Sequence, residues 1–219
     1  MIQAFIFDMD GVLVDNSRYH LLAWREYVTR NKIDVPPEID LETMMGKRNP
    51  EIFRELLGDK ITPEEARQQG DELETLYREL YRPHIRPVEG LTDLLKEIRR
   101  RGHRIGLASS APQVNVDFVL DELKLRSWFE VILSEKDAVK GKPHPAIFLA
   151  MSERLGVPPE RCLVFEDSLA GIEAAVRAGC RCVALATTHA TTSLQRKGLT
   201  NNLTAVISDF REFDWNWAS

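Results

Sequence analysis

Close to its start, this 219-residue chain carries an apolar run that breaks off on two acids, Ala4-Phe5-Ile6-Phe7-Asp8-Met9-Asp10-Gly11. The run is short, aromatic and β-branched, which is the pattern of a buried strand. Residues two apart on an extended chain face the same side, so Asp8 and Asp10 can aim at one point at the strand's end. Two carboxylates there repel each other unless a proton or a cation lies between them. Gly11 lets the backbone turn tightly beside whatever binds. Asp-x-Asp by itself is also an ordinary way to end a strand, because acids commonly open turns. Its meaning depends on the rest of the chain.

After Asp15 the pattern turns helical. Asn16 or Ser17 caps a helix running to about Arg30, with Leu21, Leu22, Trp24 and Val28 on its apolar side. Asn49-Pro50 opens a second helix that Gly58 closes, and Thr62 with Glu65 forms a capping box for a third that reaches about Tyr81. Pro83 and Pro87 then mark a boundary. From Gly90 the rhythm alternates. Helices are expected over Leu91–Arg101, from Pro112 to about Lys124, from Pro145 to Gly156, and from a Ser168 cap to Gly179. Strands are expected at Arg104–Ala108, Val131–Leu133, Cys162–Phe165, Arg181–Leu185 and Ala205–Ile207. Such alternation implies right-handed crossovers and a parallel sheet with helices on both faces. The expected fold is therefore α/β: a Rossmann-like parallel sheet core from residues 1–14 plus 88–219, with a helical domain, 15–87, inserted after the first strand.

Ligands of open parallel sheets sit outside the carboxyl ends of the strands. Three of the expected strands end on polar groups at that edge: Asp8 and Asp10, then Ser109 and Ser110, then Glu166 and Asp167. Lys142 stands just before a helix N-terminus, where a positive charge opposes the helix dipole and makes sense if an anion is the target. Carboxylates with little soft-ligand company favour a hard, oxygen-seeking cation, Mg²⁺ before Ca²⁺ or Zn²⁺. Ser109 and the backbone N–H groups after it can hold phosphate oxygens at a helix start. An ionised Asp is already a nucleophile at neutral pH, and a second carboxyl can pass the protons. Phosphoryl transfer asks a protein mainly for this positioning and charge neutralisation.

These segments resemble the haloacid dehalogenase superfamily. Phe7-Asp8-Met9-Asp10-Gly11-Val12 is similar to its first motif and Leu107-Ala108-Ser109-Ser110 to its second. Lys142-Pro143-His144-Pro145 is similar to its third and Phe165-Glu166-Asp167-Ser168 to its fourth. The resemblance spans essentially the whole chain, and the helical insertion resembles that family's small α-helical cap. It implies Asp8 as nucleophile and Asp10 as general acid/base with its backbone carbonyl on Mg²⁺. It also implies that Ser109 holds the phosphoryl group, that Lys142 holds nucleophile and phosphate together, and that Asp167 with Glu166 completes the metal site. Ser110 joins Ser109 and Lys142 as an expected substrate contact. Asn16 through Trp24 resembles the β-phosphoglucomutase-like branch, where the residue matching His20 couples cap closure to acid/base readiness. The mutases of that branch carry basic residues around the cap loop. Here Met45 and Asn49 fall where those are expected, the stretch Gln69-Gly70-Asp71-Glu72 is neutral to acidic, and Lys47 and Arg48 are the basic residues left to contact substrate.

A second phosphate needs a second positive pocket, and this one is thin. The expected activity is therefore a Mg²⁺-dependent phosphatase acting on a small phosphorylated metabolite such as a sugar phosphate, through an aspartyl-phosphate. A sugar-phosphate mutase is the alternative enzyme, and a catalytically silent binding module the alternative of another class. A formal net charge of −5 argues against a nucleic-acid partner. No apolar run is long enough for a bilayer, and the three cysteines have no framework spacing, so a monomeric cytoplasmic protein without a membrane partner is the expectation. Cys180 and Cys182 are read as core packing. The aromatic tail Phe213-Asp214-Trp215-Asn216-Trp217 is expected at the domain edge.

Overall fold

The computed structural model describes residues 1–37, 39, 41, 49–189 and 203–219. Contacts divide the chain into two compact units, Met1–Asp15 with Arg86–Ser219, and Asn16–Ile85. The strands are β1 (Ala4–Phe7), β2 (Arg104–Ala108), β3 (Val131–Leu133), β4 (Cys162–Glu166), β5 (Arg181–Leu185) and β6 (Leu203–Ile207). The helices named here are α1 (Ser17–Arg30), α2 (Asn49–Leu57), α3 (Pro63–Tyr81), α4 (Leu91–Arg100), α5 (Gln113–Glu122), α6 (Ala146–Leu155) and α7 (Leu169–Arg177).

All six strands pair in parallel in the order β3-β2-β1-β4-β5-β6. β1 is central: Phe7 lies opposite Leu107 of β2 on one side and Phe165 of β4 on the other. The chain builds one half of the sheet outward from β1 and then returns to build the other half from β4. That reversal of strand order is where an open α/β sheet leaves a crevice beyond its carboxyl edge. The fold is the doubly wound, Rossmann-like one that the alternating pattern predicts.

Alternation along β1 sorts its side chains between two layers. Ala4 and Ile6 join Phe148 and Met151 of α6 and Ile172 and Ala175 of α7 in one apolar cluster, which also takes in all three cysteines. The cysteines are buried and free of disulfides, in keeping with core packing. Phe5 and Phe7 face an aromatic layer instead, with ring centroids 6.3 Å (Phe5) and 4.8 Å (Phe7) from Phe165. The C-terminal tail belongs to this layer rather than to an edge. Phe213 lies 6.1 Å and Trp215 5.9 Å edge-on to Phe5, the residue at the middle of the central strand.

In the helical unit, α3 begins with the expected capping box. The Glu65 carboxylate accepts from the Thr62 N–H at 2.8 Å, and the Thr62 hydroxyl accepts from the Glu65 N–H at 3.2 Å. Two details of α1 differ from the sequence reading. Its buried face is Tyr19, Ala23, Trp24, Tyr27 and Val28, while Leu22 is 46% exposed. The helical repeat places 19, 23 and 27 in line and turns Leu21 and Leu22 off that line. Asn16 stands at the N-cap position, but its side chain makes no capping bond and donates to the Tyr77 hydroxyl at 2.6 Å. Among the described residues no helix is long and apolar enough to cross a membrane.

Candidate active site

Three strand ends and one loop of the sheet unit build the site. The Asp8 N–H continues the ladder beyond β1 by donating to the Phe165 carbonyl at 3.0 Å, so its position is fixed by the sheet itself. The chain then folds into a tight turn in which the Gly11 N–H donates to the Val14 carbonyl at 2.7 Å. Gly11 has φ +74°, a conformation that favours glycine. Asp8 is buried and Asp10, just before the turn, is half-buried. Glu166 ends β4, and Asp167 follows it, also buried.

Asp8, Glu166 and Asp167 each bring a carboxylate oxygen within 4.8 Å of the other two. The Asp10 carboxylate does not join that trio, although its charge acts on Asp8. Lys142 reaches into the group from the loop before α6, its side chain 8% exposed. Its Nζ lies 2.6 Å from Asp8 Oδ1 and 2.6 Å from Glu166 Oε1. The lysine is therefore no solvated surface group but the internal cation of the site. Glu166 is held from the other side as well. Its Oε2 accepts from the Asp167 N–H at 2.8 Å, the Ser168 N–H at 2.7 Å and the Ser168 hydroxyl at 3.0 Å. This carboxylate sits at the N-terminus of α7, where unpaired N–H groups and the dipole favour negative charge. A Cβ at Gly171 would fall 1.6 Å from Glu166 Oε1, so the glycine makes room for it.

Ser109 follows β2, fully buried, and its Oγ accepts from the Ala111 N–H at 3.0 Å. Ser110 is exposed. His20 belongs to the helical unit, where its ring lies flat on Tyr77 at 3.8 Å with 8° between planes and its Nε2 is 3.4 Å from Asn16 Nδ2. Arg48 lies outside the described residues, as do Met45 and Lys47. Two residues that the sequence reading missed come from the loop after β5. Thr187 Oγ1 donates to the Gly11 carbonyl at 2.5 Å, and Thr188 Oγ1 donates to Asp167 Oδ2. Their only signal in the sequence is that they follow an expected strand at the same sheet edge.

The electrostatics follow from burial. Desolvation pushes the Asp8 carboxyl up from 3.8 to about 7; Lys142 opposes the shift, while Glu166 and Asp10 add to it. Burial likewise raises Asp167, with Glu166 and Asp8 contributing. For Lys142 burial works downward, but Asp8 and Glu166 outweigh it and hold the ammonium above its ordinary value. Fully ionised, three buried carboxylates against one buried ammonium would leave two negative charges over, a charge that burial opposes and that a divalent cation would neutralise. All the donors are oxygens, so the cluster suits a hard cation.

A pH dependence follows. Asp8 ionises near 3.8 when unfolded and near 7 when folded, so its proton favours the metal-free folded form. That stabilisation is complete below the unfolded value and lost as the pH rises through about 7. The melting temperature without metal should fall between about pH 5.5 and about pH 8, and Mg²⁺ should restore it mainly at the higher value. Thermal unfolding with Mg²⁺ and with chelator checks this; a Mg²⁺ gain that does not grow with pH would contradict it.

A doubly wound sheet with a buried acid trio and a lysine at its switch point is an arrangement that could hold a hard cation. Comparison with known proteins narrows the class. Residues 2–179 match the family model for haloacid dehalogenase-like hydrolases. The phosphorylated carbohydrates phosphatase of Thermotoga maritima is 33% identical over 183 residues, 81% of this chain and 82% of that protein. The β-phosphoglucomutase of Bacillus subtilis is 32% identical over 188 residues, 81% of this chain and 80% of that protein. Among solved structures, a family IA, variant 3 HAD hydrolase from Entamoeba histolytica superposes with a TM-score of 0.89 at 27% identity, covering 99% of this chain and 97% of that one. The chain belongs to the haloacid dehalogenase-like hydrolases.

Proposed function

We propose that this protein is a Mg²⁺-dependent phosphatase acting on a small phosphorylated metabolite, a sugar phosphate being the leading class. The observation that carries the proposal is the Asp8 carboxylate, fixed at the end of the central strand, bonded to Lys142 and grouped with Glu166 and Asp167. Asp8 is the nucleophile: with Oδ1 on Lys142, its other oxygen attacks phosphorus and the phosphorus–oxygen bond to the alcohol breaks. Asp10 gives the leaving oxygen its proton, then takes one from the water that attacks the aspartyl-phosphate, releasing inorganic phosphate. Ser109 and the N–H groups after it, with Ser110, hold phosphoryl oxygens. Lys142 offsets the charge that gathers between nucleophile and phosphate. Asp8, Asp167, Glu166 and the Asp10 carbonyl are the proposed metal ligands. When bound, Mg²⁺ supplies further neutralisation of the phosphoryl oxygens. The inserted helical domain, 15–87, is given the role of a cap that chooses the leaving group, with His20 and Arg48 as its substrate contacts.

Phosphatase is preferred to mutase for a reason within the helical unit. Asn49 donates its amide to the buried Glu74, and Gln69, Asp71 and Glu72 bring no positive charge to the same region. Positions 49 and 69–74 carry no basic residue to hold a second phosphate. Phosphate release from a panel of sugar phosphates, bisphosphates and pyrophosphate, with Mg²⁺ and with chelator, tests the reading. Mg²⁺-dependent release from one or a few monophosphates is the expected result. No release, with isomerisation of a hexose 1-phosphate once a bisphosphate primer is added, would replace it with the mutase.

A further inference from the structure

The side chain of Asp167 is held from the loop after β5 rather than by its own element. Glu166 takes three bonds from the start of α7 and its flanking backbone, whereas Asp167 Oδ2 accepts from the hydroxyl of Thr188, beyond β5. The same Oδ2 lies against Gly11: a Cβ there would stand 2.0 Å from it and 2.3 Å from Asp167 Cγ. Gly11 in turn is held through its carbonyl by Thr187. Two consecutive threonines thus fix both the turn that Asp167 leans on and the carboxylate itself.

We infer that Thr188 is a positioning residue that holds Asp167 to ligation through a single oxygen, and that it thereby sets the preference of this site for Mg²⁺ over Ca²⁺. The inference rests on the metal site of the proposed phosphatase. The chemistry is direct. With Oδ2 engaged by a hydroxyl and backed by the Gly11 backbone, Oδ1 is the oxygen left to face a cation. Ca²⁺ takes six to eight oxygens at longer range and readily uses both oxygens of one carboxylate; Mg²⁺ demands a near-octahedral shell at shorter range and is content with one. Freed from Thr188, Asp167 could turn both oxygens inward and favour the larger ion. Partners behind a metal ligand commonly carry effects of about 10–100-fold on affinity.

Calorimetric titration of the full chain with Mg²⁺ and, separately, Ca²⁺ tests this on wild type, Thr188→Val, Thr188→Ala and Thr188→Ser. The ratio of Ca²⁺ to Mg²⁺ dissociation constants should fall about tenfold in Val and Ala and return to the wild-type value in Ser, which keeps the hydroxyl. Phosphate release should become correspondingly more sensitive to added Ca²⁺ in Val and Ala. If Val fails to fold, Ala against Ser carries the comparison. A ratio within about twofold of wild type in the hydroxyl-free variants overturns the role of Thr188 while leaving the phosphatase intact. Absence of Mg²⁺ binding by the wild type overturns the metal site and this inference with it.

Discussion

Asp8→Asn should lower Mg²⁺-dependent phosphate release by at least about 10⁴-fold and leave the fold standing. The amide keeps the shape of the side chain and its place in the ladder beside β4, but it is no nucleophile. Lys142 keeps Glu166 as a partner at 2.6 Å, so no buried ammonium is stranded. One of three crowded carboxylates disappears, along with a group whose ionisation burial opposes. The metal-free variant should therefore melt no lower than wild type at about pH 8, and its melting temperature should depend less on pH between about 5.5 and 8. Activity assays and thermal unfolding on the same preparation separate the two effects. Substantial turnover in the variant would remove Asp8 from the chemistry; an unfolded variant would show that the carboxylate has a structural part.

Lys142→Met should affect both activity and stability. Methionine keeps much of the length and apolar stem but leaves Asp8 and Glu166 buried with no internal cation. Removing one partner of a buried pair commonly costs about 3–5 kcal/mol, because the other partner's charge stays desolvated. The melting temperature should drop by about 10 °C or more. The loss should deepen as pH rises, since the acids ionise into an uncompensated site. Mg²⁺ should raise the variant's melting temperature by more than it raises that of wild type. Turnover should fall by at least about 10²-fold, the scale seen when one charge-stabilising group leaves a phosphoryl or acyl transfer site. Wild-type stability in Lys142→Met would mean that the two 2.6 Å contacts contribute nothing.

The site was legible in the sequence wherever it obeys the strand-end rule. Asp8, Ser109, Glu166 and Asp167 each follow or close an apolar run, and parallel strands bring their carboxyl ends to one edge. Lys142 was legible for a different reason: a basic residue at a helix start asks for an explanation, which the two carboxylates supply. Thr187 and Thr188 could not be read. Threonine is common near strand ends, and what the two residues touch depends on the loop after β5 and on the close approach of Asp167 to Gly11, which has no Cβ. The apolar face of α1 departs from its sequence pattern, in which Leu21 and Leu22 are the more hydrophobic residues. The buried positions belong to Tyr19 and Tyr27, whose rings pack while their hydroxyls keep polar partners: the Tyr27 hydroxyl donates to Glu72 at 2.9 Å. The tail gave no periodic signal at all. Its place is set by the large aromatic surface that Phe5 and Phe165 offer to Phe213 and Trp215.

The central position of β1 has a consequence for synthesis. The strand that leads into Asp8 precedes the other five in the chain, yet the partners that flank it are residues 104–107 and 162–165. A chain emerging from the ribosome holds residues 4–7 without either flanking strand until the whole helical unit and then β2 have followed, and without β4 until later still. Contacts so distant along the chain close late and slowly. The helical unit, continuous in sequence, can gather itself meanwhile. The acid trio therefore comes into being only once β4 has docked. Pairing of the central strand with β4 and assembly of the acid trio are one event.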